Sequence, residues 1–257
     1  MRFIIHEQPY EQPLRAGAYR FEHAGRATGA VERWRLSAAA DGYQFLRVDL
    51  DGRPSSGHTY LYHALLNPQG QVERLKYRFW NQAPEGKGRL QLTGDVVVVA
   101  PTRPGAADVA PMTVIATRTL NGERFEQAFE LPPGFRFWFP SVSGLHFAGQ
   151  ADSSAATAVT LNGQIGGAET LAAQVVESTY EPLDEPPATI TLGAEERCYR
   201  RWRLTWGAGH WRIIWRDASS ANGDAAGWPL GMERPAADGS GKLTAVATRC
   251  MHYRLPA

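Results

Sequence analysis

Residues 71–80 read QVERLKYRFW. Leu75, Tyr77 and Phe79 fall on one side of an extended chain, and Arg74, Lys76 and Arg78 on the other. Successive side chains of a strand point to opposite faces, so this alternation marks a β-strand with one dry face. The same reading extends in both directions. It fits 18–23, 30–36, 42–50 and 58–66 upstream, and 95–100, 112–120, 123–130, 134–139, 144–149, 155–161, 188–192, 198–206, 211–216 and 243–255 downstream. Turn chemistry separates many of these runs: Asp41-Gly42, Asp51-Gly52-Arg53-Pro54, Asn67-Pro68-Gln69-Gly70, Asn121-Gly122 and Asn162-Gly163. Asn121-Gly122 predicts a hairpin, because both residues tolerate positive φ.

Helical periodicity is scarce. Residues 168–179 space Leu171, Val175 and Thr179 by four but alternate equally well as a strand. The expected fold is all-β: a large, strongly curved antiparallel sheet or barrel, in one piece or as two half-barrels, with at most one short helix. Arg33-Trp34-Arg35-Leu36 recurs as Arg201-Trp202-Arg203-Leu204, which is the motif for the half-barrel option. The chain is expected to be a single β domain over 1–257. Sub-sheets 1–100 and 112–257 would be joined by the Pro-rich 101–111, with a second break at 182–187. The 217–241 stretch is expected to be a long loop, either a lid anchored by Trp228, Leu230 and Met232 or a surface insertion.

Composition narrows the function classes. The 257 residues carry 27 Lys+Arg against 26 Asp+Glu, and 43% are hydrophobic, which excludes a disordered chain and disfavours a nucleic-acid binder. Val96 to Ala100 is the longest apolar run, far short of the roughly 20 residues of a membrane-spanning helix. The N-terminal MRFIIHEQPYEQPL carries no signal-type apolar core, so a cytoplasmic protein with Cys198 and Cys250 as free thiols is expected.

One constellation stands out. Residues 197–216, RCYRRWRLTWGAGHWRIIWR, hold six arginines, no acid and four of the eight tryptophans. A turn at Gly207-Ala208-Gly209-His210 would pair Trp206 with Trp211, Leu204 with Ile213 and Trp202 with Trp215. Trp202, Leu204, Trp206, Trp211, Ile213 and Trp215 would then share one face, and Arg201, Arg203, Arg212 and Arg216 the other. Three uses of such a hairpin remain open. The arginines form a solvated face paired to acids such as Glu32, Glu73 or Asp49. Alternatively, they merge with Arg33 and Arg35 and with Arg74, Lys76 and Arg78 into an anion-binding surface. In the third, the aromatic face lines a ligand cavity on the concave side of the sheet. The candidate ligand-binding residues are Trp34, Tyr77, Trp202, Arg203, Trp206, Trp211, Arg212, Trp215 and Trp228.

Catalytic and metal signals are weak. His6, His23, His58, His63, His146, His210 and His252 include no HxH or HExxH spacing, and His58 and His63 point to opposite faces of a strand. Ser141-Val142-Ser143-Gly144 lacks the first glycine of a nucleophile elbow. No catalytic residue, metal or cofactor is assigned.

The alternating strands 42–50, 58–66 and 71–80 and the Trp-rich hairpin 198–216 resemble bacterial proteins built as one curved antiparallel half-barrel, of the lipoprotein-carrier and glycolipid-binding type. More distantly they resemble lipocalin-like barrels, although Gly17-Ala18-Tyr19 stands where a lipocalin carries Gly-x-Trp. The resemblance implies a non-catalytic binder or carrier of an apolar or amphipathic, lipid-like small ligand; composition and the short apolar runs add the expectation of no nucleic-acid partner and no transmembrane segment. Two other classes stay open: an enzyme with His, Tyr or Asp at the mouth of the same cavity, and a scaffold with a basic face for a polyanion.

Overall fold

In a computed structural model the described residues are 9–81, 90–99, 111–149, 155–165, 167–218, 227–236 and 239–253. The strands are β1 (Gln12–His23), β2 (Arg26–Ala38), β3 (Gln44–Gly52), β4 (His58–Leu66), β5 (Val72–Asn81), β6 (Gln91–Val99), β7 (Met112–Leu120), β8 (Glu123–Leu131), β9 (Arg136–Phe137), β10 (Ala155–Leu161), β11 (Ala173–Pro182), β12 (Ala188–Leu192), β13 (Glu195–Trp206), β14 (His210–Asp217), β15 (Pro229–Pro235) and β16 (Lys242–His252). One four-residue helix, α1 (Arg53–Ser56), and two 3-10 turns, 40–42 and 144–149, complete the described elements.

The chain is all-β, and its strands form one large curved sheet that does not close. The order is β8-β7-β6-β5-β4-β3-β2-β1-β16-β15-β14-β13-β11-β10-β9, with β12 also on β13. One arm is the simple meander β1 to β8. The other runs back from β16 to β9, and the arms join where β1 pairs with β16 from Arg15–His252 to His23–Leu243. The far ends, β8 and β9, do not pair with each other. From the inner face, the Tyr77 hydroxyl of β5 donates to the Leu171 carbonyl at 2.9 Å and Arg118 of β7 to the Thr170 carbonyl at 3.2 Å, both in the turn before β11.

Alternation sets the inside of the sheet. Trp34 lies opposite Val48, Val48 opposite Tyr62, Tyr62 opposite Tyr77 and Tyr77 opposite Gly94, all on the inner face. Gly17 and Gly94 are seats for large rings: a Cβ on either would overlap Trp34 or Tyr77. The remaining interior is filled by the chain after β8. Phe137, Trp138, Phe139, Val142, Leu145 and Phe147 are all buried there. Burying each such side chain contributes roughly 1.5–3 kcal/mol.

Four expectations change. The strands read at 134–139 and 144–149 reduce to the two residues of β9 and a 3-10 turn, because this segment is enclosed on all sides and has no wet face to alternate with. The ambiguous 168–179 stretch is a turn followed by β11. The 217–241 stretch contains a strand of the sheet, β15, whose Pro229, Gly231 and Pro235 hide its alternation. Residues 219–226 and 237–238 of that stretch, and 101–110, lie outside the described residues.

The fourth change concerns the Arg/Trp hairpin. Trp206 pairs with His210, Thr205 with Trp211, Leu204 with Arg212, Trp202 with Ile214 and Arg201 with Trp215. The connection is therefore three residues, Gly207-Ala208-Gly209, with both glycines at positive φ (52° and 86°). A one-residue slip sends every side chain of β14 to the other face. Trp202, Leu204 and Trp206 share the inner face with Arg212, Ile214 and Arg216. Trp211, Ile213 and Trp215 share the outer face with Arg201 and Arg203.

Candidate functional site

Two buried charges organise the middle of the interior. Glu32, on β2, is fully buried. It does not pair with outward arginines, as one of the three open readings had it; it accepts from the backbone N–H groups of Val142 (2.8 Å) and Ser143 (2.9 Å) and from the Ser143 hydroxyl (2.6 Å). Burial raises its pKa even though these bonds oppose the shift. Arg216, on β14, is also fully buried. It donates to the Tyr180 hydroxyl (2.5 Å) and to the carbonyls of Gly227, Leu145 and His146 (3.0–3.1 Å), and meets His146 Nδ1 at 3.2 Å. Burial, then Arg216, holds His146 well below the usual histidine range. The pair thus clamps the two ends of the 142–146 turn. Ser143 donates to Glu32 while His146 Nδ1 faces Arg216, so Ser141-Val142-Ser143-Gly144 is a structural turn and no nucleophile–base pair.

A different group occupies one end of the interior, the rim formed by the connections at 24–25, 53–57, 121–122 and 207–209. Arg212 lies on the inner face of β14 beside Trp206, its guanidinium 5.0 Å from the indole centroid. Arg234 stands on the adjoining β15, one residue past the Ile213–Glu233 pair, opposite Leu243. Burial, and then Arg234, pulls the Arg212 pKa down to about 9. Arg234 acts in turn on Tyr60 of β4, five strands away along the sheet, so this interaction crosses the interior. Burial raises the Tyr60 phenol and Arg234 partly offsets it. The hydrogen bonds of Arg212 and Arg234 go to backbone carbonyls of Trp211 (2.7 Å) and Pro235 (3.3 Å). Among the described residues neither has a carboxylate partner. Two guanidinium groups sharing a half-buried end of a barrel-like sheet make a fork suited to a carboxylate or phosphate.

The outer face carries two grooves. One, of about 440 Å³, is lined by Leu183, Arg201, Arg203, Trp211, Ile213 and Glu233 among others. Burial pushes Glu233 up, but Lys242 (2.5 Å), Trp215 Nε1 (2.9 Å) and Arg201 (3.0 Å) hold it below the ordinary carboxylate range. The other, of about 540 Å³, crosses β4 to β8 and is lined by Lys76, Arg78, Asp95 and Arg124 among others.

The nine candidate residues therefore separate. Trp206 and Arg212 meet at the rim. Trp34 and Trp228 pack against each other at 4.3 Å in the core, where Trp228 also donates to the Tyr19 hydroxyl (2.9 Å). Tyr77 ties β5 to the turn before β11 through the Leu171 carbonyl. Trp202 stacks on Tyr180 at 5.0 Å. Arg203, Trp211 and Trp215 are outside, with Trp215 stacked on Tyr199 at 4.9 Å and seated over Gly231. Sequence reasoning missed Tyr60, Arg234, Glu32 and Arg216. Arg234 is hidden because Pro229, Gly231 and Pro235 mask the alternation of β15, and Arg216 because the three-residue connection shifts the register of β14 by one. The period of two puts Glu32 on the Trp34 and Leu36 face, but its charge gives no sign of the donors that hold it there. Cys198 and Cys250 are free thiols. Among the described residues no group of three or more His, Cys, Asp or Glu side chains converges as metal ligands would. No described helix is long and apolar enough to cross a membrane.

No protein-family model matches the chain, and no curated protein does. A search of solved structures finds a beta-barrel-like protein, a domain of unknown function, from Brucella abortus. It has a TM-score of 0.48 and 11% identity, and the match covers 95% of this chain and 98% of that one.

Proposed function

We propose that this is a non-catalytic binding or carrier protein for an amphipathic small ligand with a carboxylate or phosphate group, held at the rim end of its curved sheet. The observation that carries the reading is the Arg212–Arg234 pair, two inward cations with no acid partner among the described residues. Keeping such cations half-buried is costly without a counter-charge, and an anionic ligand supplies one. Trp206 and Tyr60 beside them offer apolar and aromatic surface to the rest of the ligand. The lipid-like ligand class fits this combination of charge and aromatic wall.

Native mass spectrometry of protein purified without detergent, followed by titration with laurate and dodecyl phosphate under tryptophan fluorescence, tests the proposal. One-to-one binding weakened about tenfold or more in Arg212→Gln/Arg234→Gln supports it. Binding unchanged in that variant, or no binding of either probe, overturns it.

A further inference from the structure

The two ends of the sheet are unlike. β9 is two residues long, whereas β8 runs for nine without a bulge and contains neither proline nor glycine. Sheet edges are commonly blunted by short strands, proline or bulges, and β8 uses none of these. The neighbouring ladder shows which of its backbone groups are open. The Asn121 N–H, one residue past β7, donates to the Gln91 carbonyl beside β6 at 2.9 Å. Bonding alternates along an antiparallel strand, so the odd-numbered residues of β7 bond to β6 and the even-numbered ones to β8. Leu120 then exchanges bonds with Glu123, Arg118 with Phe125, Ala116 with Gln127 and Val114 with Phe129. Arg124, Glu126, Ala128 and Glu130 turn their N–H and C=O groups away from the sheet. All four are exposed, and no described strand pairs with that edge.

The side chains of β8 are self-complementary. When two copies run antiparallel about a two-fold axis at Gln127, Arg124 lies opposite the partner's Glu130, and Glu126 opposite the partner's Ala128. Phe125 lies opposite the partner's Phe129 on the inner face, where both rings are only half-buried in one copy. The pairs 124 with 130 and 126 with 128 are the ones whose open groups exchange hydrogen bonds, so about eight form along the seam. Moving the axis one residue either way sets Glu126 against its own copy or against the partner's Glu130, which is unfavourable. Arg124 already touches Glu126 at 3.2 Å, and Glu130 accepts from the Thr113 hydroxyl at 2.8 Å. A guanidinium has five N–H donors and a carboxylate two oxygens, so both retain capacity for the cross-seam pair.

We infer that β8 is a self-association edge: a second copy of this chain adds its own β8 antiparallel, and the two sheets become one across a two-fold axis at Gln127. A seam of one strand pair is small beside the roughly 1,200–2,000 Å² of a stable interface, so the dimer is reversible.

Sedimentation equilibrium between about 1 and 200 μM, with amide hydrogen exchange at both ends of that range, tests the edge. Expected is a monomer–dimer equilibrium in which the Glu126, Ala128 and Glu130 amides are protected only at the high concentration. Arg124→Glu or Glu130→Arg alone sets like charges opposite each other at two places in the seam, and each should weaken the dimer about tenfold. Arg124→Glu/Glu130→Arg restores opposite charges in this register and should recover wild-type association. Ala128→Pro removes an open N–H without touching the β7 ladder, and should give a monomer with little change in melting temperature. If that variant unfolds, the charge swap still decides. A wild type that stays monomeric throughout, a dimer that the double swap fails to restore, or oligomers beyond the dimer overturns the inference. Protection of the same amides in the monomer means that another part of the chain covers the edge, and overturns it as well.

Discussion

The same four residues, Arg-Trp-Arg-Leu, occur in both arms of the sheet, at Arg33–Leu36 of β2 and Arg201–Leu204 of β13. In both the Trp and Leu face inward and the arginines outward. Their neighbours differ. Trp34 and Leu36 meet Val48 and Leu46 of β3. Trp202 and Leu204 meet Ile214 and Arg212 of β14. Around this motif one arm turns a single acid, Glu32, inward among apolar neighbours, and the other turns Arg212, Arg216 and Arg234 inward. A motif therefore sets its own strand's faces and says nothing about the phase of the next strand. That phase belongs to the turn: a three-residue connection with Gly207 and Gly209 at positive φ places arginines where a four-residue one would place tryptophans.

The largest test of this contrast pits Arg216 against Arg33. Arg216→Ala leaves the Leu145, His146 and Gly227 carbonyls without their donor, and should cost about 3–5 kcal/mol in urea unfolding. Arg33→Ala, on the outer face, should stay within about 0.5 kcal/mol. Equal losses would break the comparison.

Next in size is the outward seat of Trp215. A side chain on Gly231 would overlap that ring and crowd the Ala245 carbonyl. Gly231→Val should cost about 1–3 kcal/mol, read as a lower melting temperature. A neutral result would mean that Trp215 does not rest on the outer face.

The rim pair should respond in the opposite direction. Replacing Arg212 and Arg234 by leucine removes two half-buried like charges, and should raise ligand-free stability by about 1 kcal/mol while laurate binding disappears. A destabilised double variant would show that the pair is structural.

The smallest effect is a pH dependence in the β1–β8 arm. Burial first, then Arg47 and Lys76, make His63 titrate at about 4 in the folded chain against 6.5 in the reference state. Between those values the unfolded chain binds more protons, so its stabilisation is complete above about pH 6.5 and drains as the pH falls toward 4. The ring is partly exposed, so His63→Gln should reduce this acid sensitivity by only about 1 kcal/mol after solvent screening.

Much of the fold was legible because half-buried strands advertise their period. Leu75, Tyr77 and Phe79 face inward as read, and the Asn121-Gly122 hairpin forms between β7 and β8. The plug at 137–148 was not legible, since a segment buried on every side has no polar face to give a period. β15 was masked by Pro229, Gly231 and Pro235. Of the candidate residues Trp206 and Arg212 come together at the rim, where Tyr60 and Arg234 join them, while Trp34 and Trp228 meet in the core.

Local sequence by itself determined which residues of each strand point together, because a period of two is a property of the strand alone. Only the tertiary structure decided how the strands are phased against one another, and which charges turn inward. Glu32 shares the Trp34 face by period, and its burial is tolerated because Val142 and Ser143, more than a hundred residues away, bring it donors. Arg216 faces inward because carbonyls of the same turn receive it. A buried charge is tolerated where partners converge on it, and convergence is a property of the folded chain.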